Sequence, residues 1–342
     1  MRLLICTQAV DCDDPVLGFF HRWIEEVAKR STSVHVICLK EGRHALPANV
    51  HVHSLGKESG GSRMKYVVRF FRSVWDLRNE YDAVLVHMNE EYVLLAGIAW
   101  LFWGKRVVLW RNHKMGSWRT RLAVLCAHVV CHTSPEAYVA QFSNARIMPI
   151  GIDTTRFAPK ETPPDAGTIL FFGRLDAVKN PETFLLAMQL IAGSNSSAHA
   201  NVYGDPSPGR ESYAADLKKR FSSLQNVTFH GAVTNERAPE IYRAHAIYVN
   251  ATPSGSFDKT IGEAMAAGCI VIASNAAVQS VLHPDVFVAN PKSPENLARA
   301  LRAALSLSLE EQRSEAARLQ TWVRENHSLE LLMRRLQDTL CK

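Results

Sequence analysis

Long apolar runs are missing from this 342-residue chain. The longest, Tyr92–Trp103 (YVLLAGIAWLFW), falls well short of the roughly 18 residues that a membrane span requires. Cysteine is scarce and odd in number, seven with no framework spacing, which argues against a disulfide scaffold and for reduced thiols in a cytoplasmic setting. Strong charge of one sign is also absent. Thirty-nine Lys and Arg against thirty-three Asp and Glu leave a net charge of +6, too weak for a nucleic-acid protein and compatible with anionic ligands or an anionic membrane surface. No G-x-G-x-x-G follows the first strand, where a nicotinamide dehydrogenase needs it. The opening MRLLICTQAV carries one charge and meets Asp11 almost at once; it is expected to be a first strand rather than a signal peptide.

What is present is alternation. With 47% hydrophobic and 21% charged residues the composition is that of an ordinary globular protein, and the length suggests two domains. Residues 1–150 alternate strand-like runs (RLLICTQAV, SVHVICL, AVLVHM, RVVLW, HVVCHTS) with segments of helical spacing, including Met64–Glu80 and Glu90–Phe102. A proline-rich, aperiodic stretch, 151–167, is expected to be a linker. A second alternating set fills 168–320, and 321–342 is helical. The pattern predicts an α/β fold of two Rossmann-like domains with parallel sheets, in which ligands sit outside the carboxyl ends of the strands.

Polar, glycine-bearing loops fall at those ends in the second half. Gly173-Arg174-Leu175-Asp176-Ala177-Val178-Lys179-Asn180 follows TILFF, Tyr203-Gly204-Asp205-Pro206 follows the next strand, and His230-Gly231 the one after. Then comes Ser254–Gly268, SGSFDKTIGEAMAAG, a hydroxyl-rich loop running into strong helix-forming sequence. A loop that opens a helix offers backbone N–H groups and the positive end of the helix dipole to a phosphate. Taken alone, the stretch is equally an ordinary βαβ crossover. Arg174 and Lys179 add two cations on one strand-to-helix loop.

GIDTTRFAP, FFGRLDAVKNPETFLLA, NVTFHGAV and SGSFDKTIGEAMAAG, in that order, resemble the donor-binding domain of GT-B glycosyltransferases, specifically retaining family 4. The match covers roughly residues 149–275, and WRNH (Trp110–His113) is similar to a strand-end motif of bacterial members. The resemblance implies two Rossmann-like domains facing across a cleft, the acceptor on the first and the donor on the second, with the C-terminal helix crossing back to the first. It implies a metal-independent hexosyl- or glycosyltransferase with no cofactor, which uses a UDP- or GDP-sugar and a glycan or lipid-linked acceptor in polysaccharide synthesis. By motif, Arg174 and Lys179 hold the donor diphosphate, with Gly173 and Gly204 lining its loops, and Glu263 accepts from the nucleotide ribose. The backbone N–H groups around Lys259, Thr260 and Ile261 cap the phosphates at the helix start, and Ser256, Phe257 and Asp258 complete the donor site, Ser256 and Asp258 towards the sugar. His113 meets the transferred sugar, and Gly18, in the loop after the first strand, lets backbone approach the diphosphate. The family pattern also places a glutamate at position 255, where this chain has Gly255. That departure bears on the sugar end of the donor, and it motivates an alternative: a nucleotide-sugar-binding protein without transferase activity.

Three other clusters invite readings. Asp11-Cys12-Asp13-Asp14 has the composition of a metal site, but lies in the first strand-to-helix loop, where an acceptor contact fits better. Cys126, His128, Cys131 and His132 suggest zinc, yet HVVCH alternates as a strand and divides its side chains between two faces. Lys65, Arg69 and Arg72 fall on one face of a basic-aromatic helix. That face is either simply solvated or lies on an anionic membrane at the cytoplasmic face.

Overall fold

A computed structural model describes residues 1–14, 16–193, 198–253 and 256–341. The chain divides into two compact units, Met1–Pro149 with Glu330–Lys342, and Ile150–Leu329.

Unit 1 alternates β1 (Arg2–Val10), α1 (Gly18–Ala28), β2 (Ser33–Glu41), β3 (Val50–Ser54), α2 (Arg63–Asp76), β4 (Ala83–His87), α3 (Glu90–Phe102), β5 (Arg106–Trp110), α4 (Trp118–Leu125), β6 (Val129–His132) and β7 (Ala145–Ile147). Among the described residues its strands form one parallel sheet in the order β3-β2-β1-β4-β5-β6-β7. The central strand β4 is buried at every position, as expected where helices cover both faces of a parallel sheet. On one face, Val84, Val86, Val107 and Leu109 pack with Phe70, Tyr92 and Trp100 from α2 and α3. On the other, α1 brings Phe20 onto His87, the rings stacked 3.8 Å apart, and Trp23 edge-on to Trp110. Between β6 and β7 the chain makes only a 3-10 turn, Tyr138–Gln141.

Unit 2 contains β8 (Thr168–Phe172), α5 (Pro181–Ile191), β9 (His199–Tyr203), α6 (Glu211–Arg220), β10 (Val227–Phe229), α7 (Ala238–Arg243), β11 (Ile247–Asn250), α8 (Lys259–Ala266), β12 (Ile270–Ala273), α9 (Pro294–Ser306) and α10 (Leu309–His327). Its parallel sheet runs β10-β9-β8-β11-β12. The proline-rich stretch 151–167 is not loose. Ile152 and Phe157 are buried in the unit 2 core, and Arg243 donates to Ala158 O at 2.6 Å. Ser308 and Glu311 form a capping box that starts α10. The final helix, α11 (Leu329–Cys341), belongs to unit 1 almost throughout, where Arg106 Nε donates to Thr339 O; α10 stays with unit 2.

His87 is a buried titratable group in the unit 1 core, held 3.3 Å from Thr7 Oγ1. Burial pushes its pKa down to about 3. The unfolded chain takes up this proton near 6.5 and the folded one only near 3. Stability from the neutral ring is therefore complete above pH 6.5 and lost as pH falls towards 3, by up to about 1.4 kcal/mol per unit. Chemical denaturation between pH 7 and 4 is expected to show this loss, and His87→Phe is expected to flatten it.

Candidate functional site

In unit 2 the connections run outward from β8 in both directions, to β9 and β10 on one side and to β11 and β12 on the other. The loops after β8 and β11 therefore part at a topological switch point, the position where open parallel sheets admit ligands. On the β8 side, Gly173 N–H donates to Tyr203 O at 3.0 Å, and Leu175 N–H to Asp205 O at 3.1 Å. Gly204 has φ +143°, and a Cβ there would stand 1.9 Å from Gly173 O, so only glycine lets these two strand ends approach. Asp176 accepts from Ser207 N–H at 3.0 Å and from its hydroxyl at 2.6 Å. Arg174 Nη1 donates to the same hydroxyl at 3.0 Å and lies 3.7 Å from Asp176. Its side chain is 54% exposed, which leaves the guanidinium accessible.

On the β11 side, Asn180 donates to Ala251 O at 2.7 Å and so joins the two loops. Lys179 Nζ donates to Asp258 Oδ2, with both side chains largely buried. Asn250 Nδ2 donates to the same oxygen at 3.2 Å, and Thr260 Oγ1 donates to Asp258 Oδ1 at 3.0 Å. Burial works to raise the Asp258 pKa, but the Lys179 charge and these hydrogen bonds outweigh it and hold the carboxylate below its ordinary value. Tyr248 OH donates to Thr260 Oγ1 at 2.7 Å from beneath. One turn into α8, Glu263 is buried and accepts from Tyr242 OH at 3.3 Å. Burial raises its pKa against the pull of Lys259 and Arg156. Lys259 Nζ donates to Gly151 O at 3.0 Å, and burial lowers its pKa.

The structure thus brings Gly173, Arg174, Lys179, Gly204, Asp258, Lys259, Thr260 and Glu263 to the loops and helix start around one strand-end region. Other expected residues sit differently. Phe257 is buried against Trp322 and His327, where it anchors the loop to α10. Ile261 is fully buried, and its N–H is already bonded to Asp258 O at 3.1 Å. Ser256 is exposed and its carbonyl accepts from Asn275 at 3.0 Å. Gly18 is the buried first residue of α1, not part of the preceding loop, and its N–H donates to Asp14 O at 2.9 Å. Ser254 and Gly255 lie outside the described residues. The sequence motifs assign no role to Asn250, Asp176 or Ser207. Asn250 ends a buried strand with a polar side chain, which is the signal that could have found it.

In unit 1, His113 lies in the loop three residues beyond β5, its Nδ1 accepting from Met115 N–H at 3.0 Å. It lines an open pocket of about 430 Å³ with Met88, Glu90, Arg111, Met115 and Ser117. The floor is charged: Arg111 Nε stands 3.0 Å from Glu90 Oε2, at ion-pair distance without hydrogen-bond alignment. Met88 adopts φ +68°, a strained conformation for a non-glycine residue. Asp11, Cys12 and Asp13 bring their ligand atoms within 4.8 Å of one another, but Arg43 matches Asp13 at 2.6 Å and Lys40 lies 3.6 Å from Asp11. Cys131 is buried with its thiol pushed up to about 12, and His128 accepts from Val107 N–H at 3.1 Å.

Two family models match the chain, glycosyl transferases group 1 over residues 166–306 and glycosyl transferase 4-like over 16–110. A D-inositol 3-phosphate glycosyltransferase of Streptomyces griseus is 31% identical over 149 residues, 41% of this chain and 32% of that protein. A phosphatidylinositol N-acetylglucosaminyltransferase chain of Arabidopsis thaliana is 25% identical over 205 residues, 56% of this chain and 45% of that one. The chain thus spans less than half the length of these relatives. Anabaena HepE with UDP bound superposes with a TM-score of 0.79 at 16% identity over the whole of both chains. Sucrose-phosphate synthase from Thermosynechococcus elongatus gives 0.77 at 18% over 98% of each.

Removing the carboxylate of Asp258 leaves Lys179 largely buried without its counter-charge. Asp258→Asn is expected to cost about 1–3 kcal/mol in denaturant unfolding at pH 7. Because the Asp258 pKa is depressed in the folded state, its contribution is present above the ordinary aspartate value of 3.8 and lost as pH falls through the lower folded value. The difference between wild type and variant should therefore close under acid. Gly204→Ala, which sets a Cβ against Gly173 O at positive φ, is expected to cost more than about 1 kcal/mol by the same measurement.

Proposed function

Since the chain belongs to the GT-B glycosyltransferases, we propose that it is a retaining transferase that moves a sugar from a UDP- or GDP-sugar to a glycan or lipid-linked acceptor. The observation that carries this reading is the switch point of unit 2, where Arg174, Lys179 and the start of α8 converge. The donor's diphosphate is the ligand whose charge and shape these groups suit. Two positive side chains and a helix N-terminus already supply the positive potential, so the reaction proceeds without a metal.

During transfer the bond from the anomeric carbon to the β-phosphate oxygen breaks, and the nucleoside diphosphate leaves with the electron pair. The acceptor oxygen bonds to the anomeric carbon on the same face, and its proton passes to the departing phosphate. Negative charge grows on that phosphate as the bond breaks. Arg174 and Lys179 lower the barrier by meeting the charge where it develops, with Lys179 exchanging Asp258 for phosphate when the donor arrives. By helix geometry a first-turn N–H such as that of Thr260 lacks an intrahelical acceptor and is available to the same group. Glu263 serves the ribose hydroxyls from the inner side of α8. The acceptor belongs to unit 1, where the pocket over Glu90 and Arg111 is polar and open, and His113 is assigned to the transferred sugar. One matched relative is named for phosphatidylinositol, and a lipid-linked acceptor is in keeping with that.

Release of nucleoside diphosphate, measured over a panel of UDP- and GDP-sugars, tests the reading. Lys179→Ala is expected to lower turnover by about 10²–10³-fold, and EDTA-treated wild type is expected to keep its rate. Equal turnover in wild type and variant would overturn the assignment. A product with inverted anomeric configuration by proton NMR would overturn the retaining step alone.

A further inference from the structure

A helix that is apolar on every side belongs in a core, and α3 is not in one. Its inner side packs Val93, Ala96 and Trp100 into unit 1. Its outer side presents Leu95, Ile98 and Phe102, three and four residues apart and so on one stripe, with Ile98 76% and Phe102 89% exposed. The neighbouring α4 repeats the pattern with Trp118, Leu122 and Leu125, of which Trp118 is 71% and Leu125 77% exposed. On the other flank of α3, α2 exposes Val68, Phe71 and Trp75. Eighteen large apolar side chains are exposed among the described residues, and eleven of them lie on these three helices. Scattered exposed apolar residues need no explanation; a contiguous face of this kind does.

Charge narrows the choice of occupant. The helices that flank the α3 stripe are basic: α2 carries Arg63, Lys65, Arg69 and Arg72 against Asp76, and α4 carries Arg119 and Arg121 with no acid of its own. A second copy of this chain, docked through the same face, would set these cations against their own duplicates. An apolar centre with a basic, tryptophan-bearing rim is instead complementary to a bilayer that carries anionic headgroups, with the aromatic rings at headgroup depth. No described helix is long and apolar enough to cross a membrane, so contact of this kind is peripheral.

We infer that the outer face of α2, α3 and α4 docks unit 1 on an anionic lipid surface, with the α3–α4 stripe entering the acyl boundary and the arginines engaging headgroups. The stripe starts beside the unit 1 pocket: Glu91 lines that pocket and lies one turn before Leu95 on the same side of α3. A lipid-borne molecule held in the bilayer therefore has a short path to it. The docking itself stands whether or not the chain transfers sugar.

Co-sedimentation of the full chain with vesicles tests the inference. Vesicles of phosphatidylcholine with phosphatidylglycerol are expected to bind wild type, and vesicles of phosphatidylcholine alone to bind it at least about tenfold less. Ile98→Asp with Leu125→Asp is expected to weaken the anionic binding at least about tenfold with an unchanged melting temperature, because both positions are exposed. Arg72→Glu with Arg119→Glu is expected to weaken it most at low salt. No binding to either vesicle, equal binding to both, or full binding by the Asp variant overturns the inference. A concentration-dependent dimer that the Asp variant abolishes, with no vesicle binding, overturns it in favour of a second copy. Donor hydrolysis in the absence of vesicles should be equal in wild type and the Asp variant, which separates failure of this inference from failure of the transferase reading.

Discussion

Strands buried on both sides leave polar chemistry almost nowhere to go except their ends. β4, β6, β11 and β12 are buried along their whole length, and their ladders are parallel, so every carboxyl end in a sheet opens on the same edge. Each unit accordingly has a polar cluster there: Glu90 and Arg111 with the His113 ring in unit 1, Arg174, Lys179 and Asp258 in unit 2. The sites follow from the layering, and the strand order then selects which pair of loops parts to receive a ligand.

That logic explains which parts were legible in the residues. Gly173, Gly204 and the start of α8 could be read because backbone approach and free N–H groups are local properties that a short motif carries. The burial of Phe257 could not, since it depends on Trp322 and His327 of a helix some sixty residues later. Gly18 looks like a loop glycine until the bond from its N–H to Asp14 O turns the helix one residue early. The Lys179–Asp258 pair lies 79 positions apart in sequence, beyond the reach of any spacing argument. The run Tyr92–Trp103 is apolar throughout, and only the packing of its neighbours reveals that Leu95, Ile98, Leu101 and Phe102 face outward.

The donor-side loops also show how order is distributed. Asp176, Ser207 and Asp205 fasten three strand ends together, while Asn180 reaches across to Ala251. Arg174 is held at the rim of this lattice with much of its guanidinium open, whereas Lys179 is neutralised within it. The two cations are therefore not equivalent: one is presented, and the other is stored until something more anionic than a single carboxylate competes for it.

Unit 2 is one uninterrupted stretch of chain, but unit 1 is closed by residues that come after it. Leu332, Met333, Leu336 and Leu340 of α11 are buried, and Arg106 waits for the Thr339 carbonyl. During synthesis the first sheet emerges early yet lacks its last helix until the whole of the second has been made. The apolar surface that α11 covers is therefore open while unit 2 is being made, and it is the later-emerging unit that can finish folding first.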